Sequence, residues 1–155
     1  MRRKDREITN FNEMIEIIKK CDSCVLALND EGFPYLVPMN FGMDIEDGQL
    51  YLYFHCAKEG RKLELIQKDN RASFEMDCEH KLVLQEEMEC SMGYASVIGQ
   101  GTIEFVVEED KFDALKILMG QYRSRDFKFD TRMLGVTTVL KMKVLNMTGK
   151  RKKVK

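Results

Sequence analysis

The chain has 155 residues, 44% hydrophobic and 33% charged, and its 25 basic and 26 acidic side chains leave a formal net charge of -1. That length suits one domain with a self-sufficient core over residues 1–155, and the charge balance removes any global attraction to nucleic acid or an anionic membrane. No apolar run approaches the roughly 20 residues that span a bilayer, the charged start Met1-Arg-Arg-Lys-Asp-Arg-Glu has no apolar signal core behind it, and five cysteines, an odd count, suit a reducing, cytoplasmic setting.

Asn10 followed by Glu13 resembles a capping box, and Phe11, Met14, Ile15 and Ile18 fall on one helical face, predicting a helix over about Phe11–Lys20. Cys24–Leu28 is a short apolar strand closed by the turn signal Asn29-Asp-Glu-Gly32. Phe33–Met43 carries Pro34 and Pro38, which lack a donor, so this strand belongs at an edge or contains a bulge. A bulge at Met39-Asn40-Phe41 would turn backbone amides toward a ligand; the plainer reading makes Met39 and Phe41 core residues. After a turn at Asp44–Gly48, the strand Gln49–His55 alternates Leu50, Leu52 and Phe54 with Tyr51, Tyr53 and His55.

Glu59–Asp69 reads as a helix opening at Gly60-Arg61-Lys62, with Leu63 and Ile66 facing inward. Arg71–Glu79 is a strand whose Ala72, Phe74, Met76 and Cys78 alternate with polar residues. The stretch Glu79–Cys90 is either a hairpin or a long loop. Ser91–Val107 is a long strand bent at Gly99-Gln-Gly101. A third helix over Glu109–Tyr122 places Phe112, Leu115, Leu118 and Met119 at helical spacing. Ser124–Leu134 is loop, Thr137–Met147 closes the sheet, and Lys150–Lys155 is a basic tail. Short strands joined by tight turns, with three helices inserted, predict a mainly β, antiparallel sheet closed into a small barrel rather than a parallel doubly wound fold.

The segment Tyr53-Phe-His-Cys-Ala-Lys-Glu-Gly-Arg-Lys62 concentrates the chemistry. A strand delivers His55 to its end, and a helix then opens with two cations. Helix N-termini attract phosphate, Arg61 adds a bidentate fork, and Lys62 adds a point charge. His55 titrates in the range of a general acid. The plainer alternatives are a solvated helix start and a structural histidine. Ser96 lies before the glycines of the long strand, where it could supply a hydroxyl. Cys21 and Cys24 have a metal-ligand spacing that Cys78, His80 and Cys90 could complete, but a zinc ribbon shows two close pairs, so no metal is expected. The basic ends lack the aromatic platform of a nucleic-acid binder.

Taken together, Leu28-Asn-Asp-Glu-Gly-Phe-Pro-Tyr-Leu-Val-Pro-Met-Asn-Phe41, Leu50-Tyr-Leu-Tyr-Phe-His-Cys-Ala-Lys-Glu-Gly-Arg-Lys62, Tyr94-Ala-Ser-Val-Ile-Gly-Gln-Gly101 and Thr148-Gly-Lys-Arg151 resemble the 5-nitroimidazole-resistance proteins. Those belong to the pyridoxamine 5'-phosphate oxidase-like, FMN-binding split barrels. The resemblance implies a six-stranded antiparallel Greek-key split β-barrel with flanking helices, and a homodimer with two FMN molecules at the subunit interface. It places Gly60, Arg61 and Lys62 at the FMN phosphate, and Met39, Asn40 and Phe41 beside the isoalloxazine ring. Phe54 and His55 would line the ring and substrate side, with Ser96 approaching from the long strand. Two departures stand out: Cys56, where the pattern is small and apolar, and the segment 120–134, which finds no match. The substrate-binding motifs of a true pyridoxamine-phosphate oxidase are absent.

The function implied is an FMN-dependent reductase. It would pass electrons from a nicotinamide or other donor to a small electron-poor acceptor of the nitroimidazole or nitroaromatic type, with His55 donating a proton. The alternative is a non-catalytic flavin- or haem-binding split barrel for sensing or sequestration, with His55 or His80 as axial ligand.

Overall fold

Residues 2–85, 89–123 and 131–153 are described in this computed structural model, and eight strands among them share one sheet. In chain order the elements are β1 (Glu7–Ile8), α1 (Phe11–Ile18), β2 (Cys24–Leu28), β3 (Tyr35–Met39), β4 (Gly42–Glu46), β5 (Gln49–Ala57), α2 (Arg61–Lys68), β6 (Arg71–Gln85), β7 (Glu89–Phe105), α3 (Lys111–Tyr122) and β8 (Thr137–Lys152). The strand order is β3-β2-β6-β7-β8-β5-β4, with β1 added beside β8, and every pairing is antiparallel.

Alternation decides which face of the sheet turns inward. On β6, Ala72, Phe74 and Met76 are buried, and on β5 Leu50, Leu52 and Phe54 are buried. Together with Leu26 of β2, Met39 of β3, Val97 of β7, Met142 of β8 and the buried face of α1 they form one apolar cluster. A sheet whose strands send side chains into a common centre is curled into a barrel. Here the barrel is split between its edge strands β3 and β4, which only the short link 40–41 connects. Edge placement resolves the proline problem: Pro38 lies opposite Val25 on one side, and no strand pairs on its other side among the described residues.

Helix α1 begins where the capping pattern places it, with the Asn10 side chain accepting a hydrogen bond from the Glu13 amide at 3.1 Å. Met14, Ile15, Ile17 and Ile18 then bury its inner face. The bend at Gly99–Gly101 is a register shift against β8 between Gln100 and Gly101. The backbones there approach so closely that a Cβ on Gly101 would lie 2.1 Å from the Lys143 carbonyl oxygen. No helix of the described residues is long and apolar enough to cross a membrane.

Several boundaries differ from the sequence expectation. The sheet has eight strands rather than six, because the run Phe33–Met43 breaks at residues 40–41 into β3 and β4, and β1 adds a two-residue bridge. Asp44–Glu46 is therefore strand, and the turn is confined to residues 47–48. Glu79–Cys90 is a hairpin extension of β6 and β7, entered through a bulge at Glu79, whose φ is 60°. Its turn lies outside the described residues.

On α3 the buried set is Lys111, Ala114, Leu115 and Leu118, whereas Phe112 is exposed. Residues 131–136 form 3-10 turns rather than loop, and the rest of the predicted loop, 124–130, lies outside the described residues. The basic tail is mostly strand: Lys150, Arg151 and Lys152 pair with Ser96, Ala95 and Tyr94 of β7.

Candidate functional site

Strand β5 ends in an exposed His55, whose backbone lies opposite Val139 of β8. The second face of β5 is not uniformly presented to a ligand. Tyr53 is 4% exposed and packs with Ala114, Leu115 and Val139 beneath α3, so only His55 of the three polar-tipped residues emerges. Desolvation by the surrounding protein pushes the His55 imidazolium below the ordinary histidine range. At neutral pH the ring is uncharged, able to donate a hydrogen bond or accept a proton.

Beyond β5 the chain turns through Gly60, at φ 137° and ψ 160°, into α2. Residues with a Cβ rarely adopt that conformation. No side chain caps the first turn of α2, which leaves a helix start of the kind that takes an anion. Arg61 opens the helix half-exposed, and its guanidinium is held by Asp30 from the β2–β3 connection. Nη2 donates to Oδ1 at 2.6 Å and to Oδ2 at 2.8 Å, and Nε donates to Oδ2 at 3.2 Å. The guanidinium holds the Asp30 carboxyl below the usual carboxylate range. Lys62, half-buried, acts on Cys56: burial pushes that thiol up, and the Lys62 charge opposes the shift. The Arg61–Asp30 contacts join the start of α2 to the turn after β2, and the Lys62 charge reaches Cys56 at the end of β5, so these three pieces form one polar corner, with His55 on the other face of the same strand end.

The Met39-Asn40-Phe41 segment sits where β4 leaves its ladder with β5, just past the Gly42–Tyr53 pair. Met39, Phe41 and Phe54 are buried in the barrel core, so their side chains serve packing within this chain. The Phe41 amide, read from the sequence as a possible ligand donor, instead donates to the Tyr122 hydroxyl at 3.0 Å. The Asn40 side chain also donates to that hydroxyl, at 3.3 Å, and the hydroxyl donates onward to the Asp22 carbonyl at 2.8 Å. Tyr122 and Asp30 are the two residues here that sequence reasoning missed. Both act across long chain separations, so no local pattern announces them.

Ser96 is not brought to this corner. It pairs with Lys150 of β8, whereas His55 pairs with Val139 of the same strand. At about 3.3 Å per residue, the stretch between those positions covers roughly 36 Å of strand. His80 is also elsewhere, with Nε2 2.6 Å from Asp77.

The family model described as pyridoxamine 5'-phosphate oxidase matches residues 11–151. No curated protein matches the sequence. Among solved structures, a candidate 5-nitroimidazole antibiotic resistance protein from Bacteroides thetaiotaomicron is 35% identical, with 94% of this chain and 86% of that one covered at a TM-score of 0.81. An FAD and haem binding protein from Mycobacterium smegmatis is 20% identical, covering 96% of this chain and 74% of that one at 0.80. A flavocytochrome from Azotobacter vinelandii is 15% identical, covering 99% and 72% at 0.79. The last two support the split-barrel fold alone.

Proposed function

This chain belongs to the pyridoxamine 5'-phosphate oxidase family, and from that premise we propose that it is a homodimeric FMN-binding flavoprotein that reduces a small electron-poor acceptor. The observation that carries the reading is the polar corner itself: an uncapped helix start, the Arg61 fork and the Lys62 charge beside a strand end that exposes a histidine. These residues fit the group. A phosphate monoester suits the first turn of α2, where Gly60 leaves the backbone uncovered, Lys62 supplies a positive charge and Arg61, paired with Asp30, keeps donors to spare.

Bound flavin supplies the electron transfer, from a nicotinamide or other donor to a nitroimidazole or nitroaromatic acceptor. The chain's own part is to hold the phosphate through Arg61 and Lys62 and to present His55 toward the ring and substrate side. The backbone of Met39, Asn40 and Phe41, steadied by Tyr122, borders the same end of β5, and His55 passes a proton to the acceptor. Ser96 would enter from the second subunit. Five free cysteines suit the reducing cytoplasm in which such a reductase would work.

The test is the visible spectrum of the purified protein with the released cofactor weighed by mass spectrometry. FMN is expected, with its retention weakened in Arg61→Ala/Lys62→Ala and acceptor reduction lost in His55→Ala. A protein that neither carries nor takes up FMN would remove the reading. A haem band abolished by His55 substitution would replace it with the haem-binding alternative.

A further inference from the structure

Asp30 lies in none of the predicted site residues, yet it makes three hydrogen bonds to Arg61. Other contacts hold its turn as well. The turn that carries it is clasped to the far end of α2 on both sides: Asn29 donates to Asp69 at 2.8 Å, and Lys68 pairs with Glu31 at 3.4 Å. Asp30 Oδ1 also accepts the Glu31 amide at 2.8 Å, which fixes the carboxylate within its own turn. The carboxylate is 17% exposed and the guanidinium 53% exposed, so the acceptor is the anchored partner and the arginine the open one.

The geometry of the contact is selective. The carboxylate takes the edge formed by Nε and Nη2. The Nη1 end of a planar guanidinium then points away from the carboxylate. An arginine bound along one edge retains a second set of donors in a fixed direction, and its side chain has already lost the rotamer freedom that an oxyanion would otherwise have to remove.

We propose that Asp30 is a positioning residue that orients Arg61 so that its outer donors receive the phosphate of the bound flavin. This rests on the reading of Arg61 as a phosphate ligand and adds the residue that makes its fork directional. Asp30 acts through Arg61, so its effect would be confined to the phosphate. It therefore governs selection of a phosphorylated flavin over the same ring without phosphate.

The experiment titrates FMN and riboflavin separately into flavin-free protein, following fluorescence quenching. Wild type is expected to prefer FMN. Asp30→Asn should lower FMN affinity by about fivefold, the weight of one ordinary hydrogen bond, and leave riboflavin affinity unchanged. Because the two other clasps remain, the variant should melt near wild type, and Asp30→Glu should recover part of the preference. Arg61→Lys keeps the charge without the fork. It should lose the same preference, and adding Asp30→Asn to it should cost nothing further.

An FMN-to-riboflavin preference unchanged or raised in Asp30→Asn overturns the positioning role while leaving the phosphate site intact. A wild type that binds both flavins equally, with Arg61→Lys indistinguishable from it, overturns the phosphate site and the role of Asp30 together.

Discussion

At the level of single residues, His55 and Tyr122 carry opposite kinds of consequence. Desolvation lowers the folded-state pKa of His55 below its ordinary value near 6.5. Proton delivery from this ring is therefore available only on the acid side. The His55-dependent part of acceptor reduction should fall as pH rises through a midpoint below 6.5, and His55→Gln should erase that limb of the profile. The same shift bears on stability with a definite sign. The unfolded chain binds this proton more readily, so the contribution is full above about pH 6.5 and lost as pH falls below it. Melting curves between pH 8 and pH 5 should show wild type losing slightly more than His55→Gln, a small difference because the ring is exposed.

Tyr122→Phe acts through hydrogen bonding alone. It leaves the Phe41 amide without its acceptor and the Asp22 carbonyl with only the 3.4 Å hydrogen bond from the Asn40 side chain, a loss of about 1–3 kcal/mol. A drop of several degrees in Tm, with flavin affinity falling alongside, would tie this hydroxyl to the shape of the β3–β4 link. A melt identical to wild type would reject that.

At the level of elements, what was legible follows from the range of the interaction that builds each piece. Helix α1 announces itself because its cap and its apolar face are four to eight residues apart. Asn10→Ala should cost about 1 kcal/mol and lower Tm by about 2–4 °C by calorimetry. Likewise β2, the edge position of β3, the glycine bend in β7 and the Gly60-Arg61-Lys62 helix start are all written in contiguous residues. Helix α3 departs from its periodic pattern on one face because Lys111 is buried there with its ammonium 2.6 Å from Glu108, while Phe112 is exposed. A periodicity argument assigns the lysine outward and the phenylalanine inward, and cannot see a long stem covering apolar surface while its charge is paired.

The link at residues 40–41 fails for a related reason. Gly42 must lie against α3, since a Cβ there would sit 2.3 Å from the Leu118 Cα, and that contact joins segments far apart in sequence. Gly42→Ala should therefore destabilise by about 1–3 kcal/mol of overpacking, measured as a lower midpoint in urea. The candidate site divides the same way. Its contiguous part, His55 to Lys62, is readable, and the parts supplied by Asp30 and Tyr122 are not.

At the level of the whole molecule, the distance along β8 between the partners of His55 and Ser96 forces a choice. Either Ser96 has no part in the site, or a second copy brings it there. The outer face of the sheet favours the second copy. Cross-strand neighbours Pro38, Val25, Glu75 and Ile98 form one row, and Leu36, Ala27 and Ser73 form the next. Leu36 is 62% exposed and Ile98 54% exposed. Apolar rows on the outer side of a barrel, with only one carboxylate among the first four residues, make a surface that two chains would cover.

Burial and the neighbouring Asp77 charge push the Glu75 carboxyl upward, so the one acidic group of this row is held nearer its neutral form. Light scattering on the intact protein should therefore report a dimer with one FMN per chain. Leu36→Asp/Ile98→Glu should give a folded monomer by circular dichroism with FMN affinity reduced at least tenfold, and Ile98→Glu alone, on β7 away from the turn that carries Asp30, should move both readings the same way. If that variant is monomeric and still binds FMN as wild type does, the flavin site is built from one chain, and Ser96 has no place in it.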